Sequence, residues 1–105
     1  MTSAAVQGRD NTLVTSVALT RRDFAILGAV RNGRTELVVG SEPDMLVDGL
    51  NLCDQPAAHR LVHAGLIAPA HQAVHGARVP AVLTDQGEIA WSWTRDHHAA
   101  LVAVA

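Results

Sequence analysis

Apolar and polar positions along this chain fall into stretches of helical period separated by short β-branched runs, with capping and turn residues at the joins. Phe24, Leu27 and Val30, with Ile26 beside them, recur at the spacing of one buried helix stripe. Thr20 stands where a cap would, Asp23 answers it three residues on in capping-box fashion, and Leu19 can staple to Phe24. Asn32 and Gly33, which tolerate positive φ, predict the stop of this first helix near Arg31. Residues 34–39 turn apolar and β-branched before Gly40, which predicts a short strand. Ser41, Glu42, Pro43 and Asp44 read as a second helix start, with proline in the first turn and acids at the positive end of the dipole. Met45, Leu46 and Leu50 would then face inward.

The third helix, over residues 54–64, has the clearest pattern. Asp54 can cap it, Pro56 sits in its first turn and Gly65 stops it. Gln55, His59, Arg60 and His63 share one arc, while Ala57, Ala58, Leu61, Val62 and Ala64 fill the other. Beyond Gly65 the chain reads as an edge strand over 66–68, a polar tip over 70–77 with Gly76 for a turn, and a returning strand with Val79, Ala81 and Leu83 on one face. Pro80 confines that strand to an edge. Thr84 and Asp85 open a last helix whose buried stripe would be Ile89, Trp93, His97, Ala100, Leu101 and Val104. Trp91 and Val102 fall on its other side, where they would pair with a second copy to give a homodimer. The expected class is mainly α with a small β-hairpin wing.

Charge adds a second pattern. Residues 55–84 contain no Asp or Glu, yet hold Arg60, Arg78 and the histidines 59, 63, 71 and 75, in a chain whose formal net charge is -2. A surface approaching duplex DNA, with one phosphate charge per about 1.7 Å of axis, excludes carboxylates in this way. In that reading Gln55 pairs adenine bidentately, Arg60 reaches guanine or a phosphate, His59 and His63 line the groove face, and Arg78 touches the backbone from the wing. Arg60, on the polar arc, would then be replaceable without loss of the fold.

These residues carry a resemblance. Gly65-Leu66-Ile67 at the end of an amphipathic helix, followed by Leu83-Thr84 and then Gly87 inside the next helix, is similar to the signature of winged helix-turn-helix proteins of the bacterial MarR and PadR type, including small phage and actinobacterial members. The resemblance spans roughly residues 20–90 and implies helices two and three as the helix-turn-helix, a β-hairpin wing, and terminal helices that dimerise. It implies a transcriptional or phage-type regulator reading double-stranded DNA through helix 54–64 and the 66–83 wing. The sparse arginines and the negative net charge keep a second reading open, a protein-protein interaction module without strong DNA binding.

The remaining composition narrows the field. No nucleophile elbow or phosphate-binding glycine loop is present, so no enzyme and no cofactor is expected. The His59/His63 and His71/His75 pairs lack a second cysteine or a carboxylate cluster in sequence, so no metal site is expected. The single cysteine, Cys53, precludes an intrachain disulfide and suits a reducing compartment. Residues 1–18 lack the marks of a signal peptide and read as a disordered or extended arm, 19–95 as the winged domain, and 96–105 as the end of the last helix, available for dimerisation. The apolar tail is too short to span a bilayer, and a soluble cytoplasmic protein is expected.

Overall fold

The first helix begins where its caps require. In a computed structural model, which describes residues 19–97, α1 runs Arg21–Arg31. The Thr20 hydroxyl accepts from the Asp23 N–H at 3.0 Å, and the Asp23 carboxylate accepts from the Thr20 N–H at 3.1 Å. Asn32 is the C-cap and Gly33 follows at φ 75°. Strand β1, Thr35–Val38, comes next.

The expected second helix is absent, which overturns the mainly α class and, with it, the helix-turn-helix. Its place is taken by a hairpin, β2 Met45–Val47 and β3 Leu50–Asn51. Asp48 and Gly49, at φ 54° and 83°, form the connection. A two-residue loop with both residues at positive φ matches the twist of the flanking strands, and Asp-Gly is among its preferred sequences. Pro43 works in the same direction by biasing Glu42 away from helical backbone. α2 then spans Gln55–His63, β4 Ile67–Pro69, β5 Arg78–Leu83 and α3 Asp85–Asp96. The result is an α/β domain of three described helices on a five-stranded antiparallel sheet ordered β3-β2-β1-β5-β4.

Register decides which side chains meet the helices. Leu37 lies opposite Met45 on one side and Val79 on the other, and Ile67 lies opposite Leu83. Leu37, Met45, Ile67 and Ala81 are buried with Ile26, Leu27 and Val30 of α1, Ala57, Ala58 and Leu61 of α2, and Ala90 of α3. The alternate positions Glu36, Val38, Arg78, Pro80 and Val82 fall on the other face. Each large apolar side chain sealed in this cluster contributes about 1.5–3 kcal/mol relative to exposure.

The residues that carried the family resemblance have an architectural task. Gly65 takes φ 81° to end α2. The Thr84 hydroxyl donates to the Gly65 carbonyl at 2.6 Å and accepts from the Gly87 N–H at 3.0 Å, while the Thr84 N–H donates to the Leu66 carbonyl at 3.1 Å. A Cβ on Gly87 would run into the Leu66 carbonyl oxygen. Together they knot the exit of α2 to the entry of α3.

Candidate functional site

α2 presents the arc that was expected to read a groove, and each of its polar side chains is engaged within the domain. Gln55 Oε1 accepts from the Met45 N–H at 2.8 Å, and its Nε2 donates to the carbonyls of Met45 at 2.8 Å and Leu52 at 2.9 Å. The amide thus ties the start of α2 to the backbone of the hairpin. Arg60 Nη2 donates to Asp23 Oδ1 at 2.6 Å; the carboxylate is 1 % exposed, the guanidinium 57 %. This pair joins α2 to the capping box of α1.

The histidines meet the loop between β1 and β2. His59 Nδ1 lies 3.1 Å from Glu42 Oε1 and its Nε2 2.9 Å from Asp44 Oδ1, while His63 Nε2 lies 3.4 Å from Glu42 Oε2. Carboxylates only accept, so a neutral His59 ring can donate to one of its two partners at a time. Arg78 Nη2 donates to Glu36 Oε1 at 2.7 Å across the β1–β5 ladder. His71 and His75 are exposed at the tip of the β4–β5 hairpin. The segment that excludes acid in sequence is therefore supplied with acid in space by Asp23, Glu36, Glu42 and Asp44.

The same pairing extends over the surface. Arg22 bonds Asp54 at 2.9 Å, Arg31 bonds Glu88 at 3.1 Å, Arg34 bonds Asp48 at 2.7 Å and Arg95 bonds Asp96 at 3.3 Å. Among the described arginines only Arg21 makes no ion pair. The Arg22 hydrogen bond, then that of the Ala57 N–H, lower the Asp54 carboxyl below its ordinary value, and Arg34 does the same for Asp48. The Asp48 partnership in turn raises Arg34. A cleft of about 400 Å³ opens between α1 and the β2–β3 hairpin, walled by Ala25, Ile26, Ala29, Val47 and Leu52, with Arg22 and Arg34 among its other lining residues. Cys53, which is exposed, also lines it.

α3 is turned opposite to the sequence expectation. Gly87, Ala90 and Thr94 face inward, and Trp91 packs on the core. The Trp91 ring stacks on Phe24 with centroids 5.9 Å apart, and the guanidinium carbons of Arg31 and Arg95 lie 4.3 and 5.0 Å from its centroid. Gly28 lies beneath it, where a Cβ would stand 3.6 Å from Trp91 Nε1, an ordinary contact. Trp91 is thus committed within the domain, and Val102 lies outside the described residues. Facing out are Ile89, 58 % exposed, and Trp93, 41 % exposed. His97 stacks on Trp93 at 3.9 Å, held by its Nδ1–H donating to the Trp93 carbonyl at 2.7 Å.

Sequence reasoning missed Asp23, Glu42 and Asp44 as partners of the arc, Glu36 as the partner of Arg78, and Ile89 and Trp93 as the exposed residues of α3. The Asp48-Gly49 turn was the available signal for the first, because a hairpin at that point returns loop 41–44 to α2. The small residues Gly87, Ala90 and Thr94 at helical spacing were the signal for the last. Among the described residues no three His, Cys, Asp or Glu side chains are grouped to hold a metal ion, and no helix is long and apolar enough to cross a membrane. No protein-family model, curated protein or solved structure matches the chain.

Proposed function

We propose that this domain is a protein-binding module rather than a reader of duplex DNA. The observation that carries the reading is the neutralisation of its arginines: Arg60 and Arg78, the two placed to meet phosphate, are spent on Asp23 and Glu36. Binding DNA through them would require breaking an ion pair for each counterion released, against a net charge of -2. The outer face of α3 has the opposite character, with an isoleucine and a tryptophan one turn apart in solvent. Tryptophan in such a position supplies large contact area at low entropic cost, as association surfaces do.

The test is retention on random duplex DNA at low salt. The expected result is elution in the void. Retention with an affinity that falls steeply as salt is raised, and that is lost in Arg60→Gln or Arg78→Gln protein shown to be folded by circular dichroism, would overturn the reading.

A further inference from the structure

The loop between β1 and β2 is held from the side rather than along its backbone. Its ends are fixed: the Gly76 N–H donates to the Val39 carbonyl and the Val38 N–H to the Asp44 carbonyl, each at 2.9 Å. Between them, among the described residues, no backbone–backbone hydrogen bond holds residues 40–43. What meets this stretch is imidazole. His59 stands between two carboxylates, its Nδ1 3.1 Å from Glu42 Oε1 and its Nε2 2.9 Å from Asp44 Oδ1. His63 reaches Glu42 and the Ser41 carbonyl, and a Cβ on Gly40 would stand 3.2 Å from the His75 ring. From this geometry we infer that the loop is a proton-operated latch, closed while His59 carries a proton on both ring nitrogens and released when one is lost.

Donor counting carries the inference. A carboxylate only accepts, so two carboxylates on opposite nitrogens of one ring are both satisfied only by the imidazolium. In the neutral ring one nitrogen turns a lone pair toward a carboxylate, and an attraction becomes a repulsion. The other groups facing the loop have no such requirement. His63 uses Nε2 alone, 3.3 Å from the Ser41 carbonyl and 3.4 Å from Glu42 Oε2, contacts that a ring with one proton supplies. His75 faces Gly40, which carries no charge. No described arginine pairs with Glu42 or Asp44, so the histidines are their ionic partners. Ion pairs this exposed are weak. A stretch without backbone bonds of its own nevertheless takes little to hold or release. The consequence lies beneath the loop, where Pro43 forms one wall of a cleft of about 160 Å³ with Leu37 and Val39, Val62 of α2 and Pro69 of β4. Release of Pro43 opens that apolar cleft, so the domain presents a different surface on the two sides of the range, about pH 5–8, in which imidazole ordinarily changes charge.

Nuclear relaxation at the backbone Cα positions of the whole chain, at about pH 5.5 and about pH 8, tests this, with the His59 ring resonances reporting its charge in the same samples. Ser41, Glu42 and Pro43 are expected to pass from order parameters of about 0.85 to below about 0.6 as the pH rises, in step with His59 and with β1 unchanged. Two variants separate the latch from a general effect of pH. His59→Ala should leave the loop mobile at both pH values. Asp44→Asn should keep it ordered at both, because the amide donates to the ring nitrogen that lacks a proton while the other nitrogen still donates to Glu42. His71→Gln, at an exposed position in the β4–β5 tip, should behave as wild type. Circular dichroism of each variant checks folding. Wild-type order parameters that are the same at the two pH values, or that change equally in His59→Ala, would overturn the latch. An Asp44→Asn loop that still loosens as wild type does would equally overturn it, by placing the pH response elsewhere.

Discussion

α2 and α3 are both amphipathic helices of this domain, and their outward faces have opposite fates. α2 shows solvent a polar arc, and tertiary neighbours consume it: Gln55 bonds the hairpin backbone, Arg60 a buried aspartate, His59 and His63 the carboxylates of a loop. α3 turns Ile89 and Trp93 outward, while Trp91 packs on the core beside the inward glycine, alanine and threonine. Polarity on a helix face is thus no measure of its availability, and bulk is no measure of burial. A polar side chain is drawn into the structure when a backbone or carboxylate lies within reach, and a large one is excluded when two backbones must come close.

The sharpest way to break the α3 half of the comparison is at Gly87. A methyl group there meets the Leu66 backbone carbonyl, which cannot step aside as a flexible side chain would. Gly87→Ala is expected to cost about 3 kcal/mol, the upper end of ordinary overpacking, read as a fall in the urea midpoint. A midpoint within experimental error of wild type would mean that α3 does not depend on this close approach.

Arg60→Ala probes the α2 half. Removing the guanidinium strands the Asp23 carboxylate, 1 % exposed, with only its capping hydrogen bond. Because the arginine is itself more than half exposed, the full cost of a buried pair does not apply, and a loss of about 1–3 kcal/mol is expected. A groove-reading Arg60 would instead leave stability untouched, so thermal and chemical denaturation distinguish the two roles directly.

Asp54 gives a smaller, pH-dependent effect. Its carboxyl is held below the ordinary value of 3.8 by Arg22 and then by the Ala57 N–H. A lowered folded pKa contributes stability that is complete above the unfolded value and is lost as the pH falls through the folded one. The melting-temperature advantage of wild type over Asp54→Asn, which keeps an acceptable cap, should therefore be steady from about pH 6 to just above the ordinary carboxyl value and shrink below it. A gap that does not change on acidification would show that the Arg22–Asp54 pair contributes nothing.

The smallest expected effect is that of Trp93→Glu on the monomer, about 1 kcal/mol or less, because the side chain lies outside the core, 41 % exposed and stacked on His97. Measured under dilute conditions, a loss several times larger would place Trp93 in the fold rather than at an interface.

Elements with local causes were legible in the chain itself. The Thr20–Asp23 box, the Asp54 cap, the stop at Gly65 and the Thr84 start are each a few adjacent residues satisfying one another's backbone groups, and all four are observed. Strand β1 and the β4–β5 hairpin followed from alternation, whereas Pro80 misleads: it reads as an edge-strand residue, yet β5 lies inside the sheet between β1 and β4, with Pro80 facing away from the core. The β2–β3 hairpin was legible in principle from Asp48-Gly49, but the capping pattern of Ser41 to Asp44 competes with it, and the sheet settles the contest by offering β1 as a partner for β2.

What no local pattern contained was the destination of each charged and bulky side chain. The sequence determined that residues 55–84 carry no acid; the tertiary structure brought Glu36, Glu42, Asp44 and Asp23 to them from elements twelve or more positions away. Likewise the sequence determined that α3 is amphipathic, whereas its rotation was set by the approach of its first turn to the Leu66 carbonyl and by the packing of Trp91 on Phe24. Caps and turns are decided within a few residues because backbone hydrogen bonds are short. Charge pairing and helix rotation are decided by contacts that exist only once the chain has folded.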